Sequence, residues 1–143
     1  MKSLDKIAQR ICLALLLLPV AWVALVALSF FWNSVAMERF YRNRPILQAM
    51  RVARDDYASV ESAAAAEAML RHIVVGTDAK TAIAALAGEG FRCTEQPPSL
   101  GRLVNCGLRV SGPLGYTNWT IELQFDDGTV LTGAKVTIWN ILL

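Results

Sequence analysis

A chain of 143 residues, 55% hydrophobic and 18% charged, has material for one small domain and one membrane segment, not for two full domains or a deep catalytic cleft. Its formal net charge of +2 hides an uneven layout: residues 38–54 hold five arginines against one glutamate, a local +4, while residues 55–143 hold six basic groups against ten acidic ones, a local −4. An acidic domain is a poor ligand for a polyanion, which removes nucleic acid from the expected partners.

Residues 1–10 form a short basic tail with Lys2, Lys6 and Arg10, and no charge follows until Glu38. The 21 residues from Ile11 to Phe31 would rise about 31 Å as a helix, which matches the hydrocarbon core of a bilayer. A cleaved secretory signal carries an apolar core of only about 7–15 residues before a small-x-small site. Ser34-Val35-Ala36 offers such a site, so cleavage is the alternative to the expectation of a retained transmembrane helix over 11–32. Trp32 falls where an aromatic belt belongs, and Arg39, Tyr41, Arg42 and Arg44 follow at the membrane interface, where long basic side chains snorkel. Pro19 predicts a mild kink of the kind spanning helices tolerate. Cys12 lacks the preceding small residues of a lipoprotein signal and reads as a packing residue.

Orientation is contested within the sequence. By counting basic residues alone, the five-arginine flank belongs inside, yet a single N-terminal anchor with a short basic tail is the usual way to carry a domain across a membrane. The expectation is a cell inner-membrane protein whose C-terminal domain lies outside the cytoplasm, in the periplasm.

Residues 33–58 read as a basic juxtamembrane helical linker in which Pro45 opens a new helix. Apolar residues recur at Ile46, Met50, Ala53, Tyr57, Val60, Ala63, Ala66, Leu70 and Ile73, a stripe of three- and four-residue steps along one helix or a helix pair. The stripe faces either a core or a partner surface, and Ile46, Met50 and Tyr57 are the candidate partner contacts. An α+β domain is expected over 59–143, with helices at about 59–75 and 78–88, the second capped by Thr77 with Asp78 against its positive end. From Phe91 the period drops to two, placing strands at about 91–94, 103–110, 118–125 and 129–139. Asp126-Asp127-Gly128 between alternating runs marks the last hairpin. The expected architecture is therefore α+β: one N-terminal transmembrane helix, then helices packed on a small antiparallel sheet of three to four strands.

Two stretches, GTDAKTAIAALAGEGF and NWTIELQFDDGTVLTGAKV, resemble the small helix-plus-three-strand domain of the SmpA/OmlA outer-membrane lipoprotein family. Gly76-Thr77 stands at the family's helix start, and Phe125-Asp126-Asp127-Gly128-Thr129-Val130-Leu131 stands at its hairpin. The likeness covers about residues 73–135. It implies a non-catalytic domain of assembly or scaffold type. The chain departs from the family in having no lipobox cysteine and in carrying a spanning helix, which points to the inner membrane.

Cys93 and Cys106 fall in phase with apolar residues on neighbouring predicted strands. Two readings fit them: a disulfide worth about 3 kcal/mol in the chain-entropy model, or two reduced, buried thiols acting as small hydrophobes. A zinc site would need His72 as a further ligand and lacks any Cys-x-x-Cys spacing. His72 near a helix end, the Asp126/Asp127 turn and Asp55/Asp56 beside the basic stretch all have structural explanations, and neither a phosphate loop nor a nucleophile elbow occurs. The chain is accordingly expected to be a non-enzyme without cofactor or small-molecule substrate. Its expected partners are membrane lipids and other integral membrane proteins, which it would serve as a scaffold or accessory subunit. The alternative is a membrane-tethered periplasmic module that binds a ligand or peptide.

Overall fold

A computed structural model of the chain describes residues 2–54, 61–95, 102–126 and 130–142, with side chains from residue 17 onward and residue 102 excepted. The order is α1 (Lys2–Arg42), α2 (Pro45–Ala53), α3 (Ala63–Leu70), α4 (Ala79–Gly88), β1 (Arg92–Glu95), β2 (Arg102–Gly112), β3 (Gly115–Phe125) and β4 (Leu131–Leu142). By contacts the chain divides into two units, Met1–Ala36 and Met37–Leu143.

The first unit holds α1 as far as Ala36. Pro19 lies inside the helix without ending it. Over Leu17–Arg42, α1 is long and apolar enough to cross a membrane, with a mean hydropathy of 1.8. The side chains of residues 17–34 are exposed, Trp22 at 71% and Leu25 at 65% among them.

The second unit is an α+β fold built on one four-stranded antiparallel sheet of order β1-β2-β3-β4. Alternation fixes its two faces: Val104, Cys106 and Val110 on β2, Trp119, Ile121, Leu123 and Phe125 on β3, and Val136 and Ile138 on β4 are buried. Against them pack Leu47 and Met50 of α2, Ala65 and Met69 of α3, and Ala82 and Leu86 of α4, forming one core. Alanines on α3 and α4 bury little area each, so these short helices depend on the sheet for most of their stability. Ser62 begins α3: its backbone N–H donates to Val136 O at 3.0 Å, and its hydroxyl accepts from Ala65 N at 3.1 Å.

The boundaries correct several expectations. Of the linker expected over 33–58, residues 37–54 belong to the second unit, with Tyr41, Ile46, Leu47 and Met50 in the domain's core, and residues 55–58 lie outside the described residues. The helix expected over 59–75 is shorter, α3 ending at Leu70, and residues 55–60, with Tyr57, lie outside the described residues. The cap of α4 is Asp78, whose carboxylate accepts from Thr81 N at 3.0 Å, whereas the Thr77 hydroxyl donates to Val74 O at 2.6 Å. The strands run longer than their alternating cores: β2 and β3 meet at Gly112 and Gly115, and β4 continues to Leu142. Gly115 has φ +148°, and a Cβ there would run into the Ile141 carbonyl, so the turn requires glycine at this position. β3 and β4 pair as a hairpin, with Asp126 N donating to Val130 O at 3.0 Å and Val130 N to the Asp126 carboxylate at 2.7 Å, while Asp127 and Gly128 of the expected turn lie outside the described residues.

Candidate functional site

The second unit opens with the last residues of α1, and the sequence concentrates arginine here. Arg39 and Arg42 lie in the last turn of α1 and are exposed, which suits cations near a helix C-terminus. Arg44 is half-buried and engaged in the fold. Its guanidinium lies 3.7 Å from the centre of the Phe40 ring, donates from Nε to Glu89 O at 2.7 Å, and donates from Nη1 to Phe40 O at 3.0 Å. Arg51 on α2 pairs with Glu38 at 3.0 Å and lies 4.4 Å from the centre of the Tyr41 ring. These cation–π and ionic contacts clamp α2 against the end of α1.

Glu89 completes the clamp and was not legible as a functional residue. It is only 6% exposed. Its carboxylate accepts from Leu47 N at 3.1 Å and so caps the N-terminus of α2, where Arg44 provides no side-chain cap. A carboxylate at that end is also favoured by the helix dipole. The available signal was its misplacement: Glu89 stands at the C-cap of α4, where an acid opposes the local dipole, which implies a partner elsewhere.

Tyr41 is not an interface residue. It is 4% exposed, and its hydroxyl accepts from Trp119 Nε1 at 3.3 Å, because the last turn of α1 lies over the sheet. Ile46 at 8% and Met50 at 0% exposure are likewise not available to a partner, since the stripe they begin faces the domain's own core. Trp32, 61% exposed, stands free on α1 of the first unit. Cys93 and Cys106 are joined by a disulfide across directly opposed positions of β1 and β2.

Elsewhere the chemistry is that of structural polar contacts. Glu61 holds Lys135 at 2.9 Å, and its hydrogen bond and charge raise the Lys135 pKa. The Thr81 side chain and backbone amide lower the pKa of Asp78. Among the described residues no group of three His, Cys, Asp or Glu is placed to hold a metal ion. An apolar concavity of about 450 Å³ lies between Met37, the β2–β3 turn and the end of β4. An apolar N-terminal helix of this kind fits a membrane anchor or a signal sequence, and a disulfide belongs to an oxidising compartment. No protein-family model matches the chain, and neither a curated protein nor a solved structure does.

Proposed function

We propose that the chain is a single-pass, membrane-anchored scaffold or accessory subunit of an inner-membrane or envelope complex, non-catalytic, with its α+β domain on the periplasmic side. The observation that carries this reading is the uncovered apolar surface of α1, where residues 17–32 expose their side chains, Phe31 at 62% and Trp32 at 61% included. Such a surface is stable only in lipid or against other spanning helices. That the domain begins at Met37, directly after the anchor in the chain, supports a structural role. The disulfide supports the extracytoplasmic side, and the likeness at Gly76-Thr77 and residues 125–131 to SmpA/OmlA domains supports an assembly role.

Purification of the full chain in mild detergent tests this reading. Stoichiometric co-purification of one or more integral membrane proteins is the expected result. Recovery of a monomer carrying a defined small ligand or peptide would replace it with the tethered binding module, and recovery of a chain beginning after Ala36 in the aqueous extract would remove the anchor.

A further inference from the structure

Alternation in the sheet gives way toward the β2–β3 turn. On the face of the sheet turned away from the helices, the register aligns Asn105, Glu122 and Lys135 in one row and Thr120 and Thr137 in another. Those rows are polar. Toward the β2–β3 turn the same face changes character, with Trp139 beside Asn118 and Arg109, then Tyr116 beside Ile141. On that face Trp139 is 53% exposed and Ile141 37%, and the same end exposes Leu142 at 79%, on the other face, and Leu114, in the turn itself, at 58%. A soluble sheet has no reason to end in apolar residues on its wet face.

Met37 lines the same groove, its Sδ 3.6 Å from where a Cβ on Gly112 would sit. It is the first residue of the second unit and follows the apolar anchor directly in the chain, so the turn beside it belongs to the part of the domain tethered nearest to where the chain leaves the bilayer, next to Arg39 and Arg42. Residue types at this end are those of a bilayer interface: Trp139 and Tyr116 with polar edges, aliphatic Leu114, Ile141 and Leu142, and Arg109 4.4 Å from the Tyr116 ring centre and donating to Asn118 Oδ1 at 3.2 Å. No carboxylate lines the groove, whereas Asp126 follows β3 at the opposite end of the sheet.

From this placement, and resting on the anchored reading above, we propose that the β2–β3 turn and the last residues of β4 form a second membrane contact, seated in the headgroup layer of the bilayer that α1 crosses. The occupant is lipid. Leu114, Ile141 and Leu142 enter the acyl boundary, Trp139 and Tyr116 lie at headgroup depth, and the acidic hairpin end points to water. The domain is thereby attached to the membrane at two places in the chain in place of one.

Nitroxide labels on the full chain, in nanodiscs of phosphatidylethanolamine and phosphatidylglycerol, test the proposal. Single cysteines replace Leu25 in the anchor, Leu114 in the turn, Leu142 in β4 or Gln124 at the far end, each with Cys12→Ser and the native disulfide left oxidised. Power saturation then compares relaxation by oxygen, which concentrates in lipid, with relaxation by a water-soluble nickel chelate. The expected result is oxygen dominance at Leu25, Leu114 and Leu142 and chelate dominance at Gln124. Oxygen dominance at Leu25 with chelate dominance at both Leu114 and Leu142 overturns the second contact and leaves the anchor standing. Chelate dominance at Leu25 overturns the anchor and the second contact together. Immobile labels at Leu114 and Leu142, shielded from both reagents, overturn the lipid assignment in favour of a protein covering that end.

Discussion

Glu89 is the residue on which the junction between α1 and α2 turns. A nine-residue helix beginning at Pro45 has no acid in its first turn and no side-chain cap of its own, so the carboxylate reaching it from the end of α4 supplies both acceptor and charge. Glu89→Ala would strand the Leu47 amide in a buried setting. The expected loss is about 1–3 kcal/mol of domain stability, read as a lower urea midpoint for the detergent-solubilised chain with an unchanged slope. Glu89→Gln keeps an acceptor and should lose less, and equal losses for the two variants would show that bulk, not capping, is what matters. Asp78 permits a pH test of the same kind. Its pKa is lowered from 3.8, chiefly by the Thr81 side chain and backbone amide, so its contribution is complete above the ordinary value and disappears as pH falls through the lowered one. Hydrogen exchange at the Thr81 amide should therefore stay slow through neutral and mildly acidic pH and quicken only in stronger acid. In Asp78→Asn that acid step should vanish.

At the scale of elements, β1 is the part of the fold with least to hold it. It has four residues, sits at the sheet edge and pairs only with β2, so the ladder alone would let it fray. The disulfide links it to β2 at Cys93 and Cys106, 13 residues apart. A loop of that size is worth about 3 kcal/mol in the chain-entropy account, and mild reduction or the Cys93→Ser, Cys106→Ser pair should lower stability by about that amount. Amides of β1 should lose protection first, and protection lost uniformly across the sheet would mean that the bond supports the whole core. The opposed cysteines were legible in part, because period-two alternation put both on the inner face; the bond itself was not, since two buried thiols give the same pattern. The helical stripe misled for a related reason. Ile46 and Met50 satisfy the same 3.6-residue period whether they face a partner or the chain's own sheet, and periodicity specifies which side is apolar without saying what covers it. Tyr41 stands between arginines in the sequence, and only its burial and the contact with Trp119 set it apart from them.

For the whole molecule the unresolved tension is between two basic flanks. Folded contacts already use Arg44 and Arg51, which makes Arg39 and Arg42 the exposed members of the second flank, but the rule that retains basic residues in the cytoplasm acts on the chain during insertion, before those contacts exist. Insertion therefore weighs three basic residues of the tail, Lys2, Lys6 and Arg10, against five between residues 38 and 54, and the proposed periplasmic domain requires the short tail to prevail. The margin is narrow on that account. Replacing Lys2, Lys6 and Arg10 together by glutamine should divert a measurable share of chains to the inverted topology, while replacing exposed Arg39 and Arg42 by glutamine should leave the native topology intact or make it more uniform. A C-terminal alkaline phosphatase fusion, active only outside the cytoplasm, and a green fluorescent protein fusion, bright only inside it, give opposite readouts of the same event. Phosphatase activity in the parent chain, its decrease in the tail variant and its retention in the Arg39/Arg42 variant are the expected results. A fluorescent, phosphatase-negative parent would reverse the orientation. In that case Cys93 and Cys106 would face a reducing compartment, and the contribution of their bond to stability would be lost in the cell.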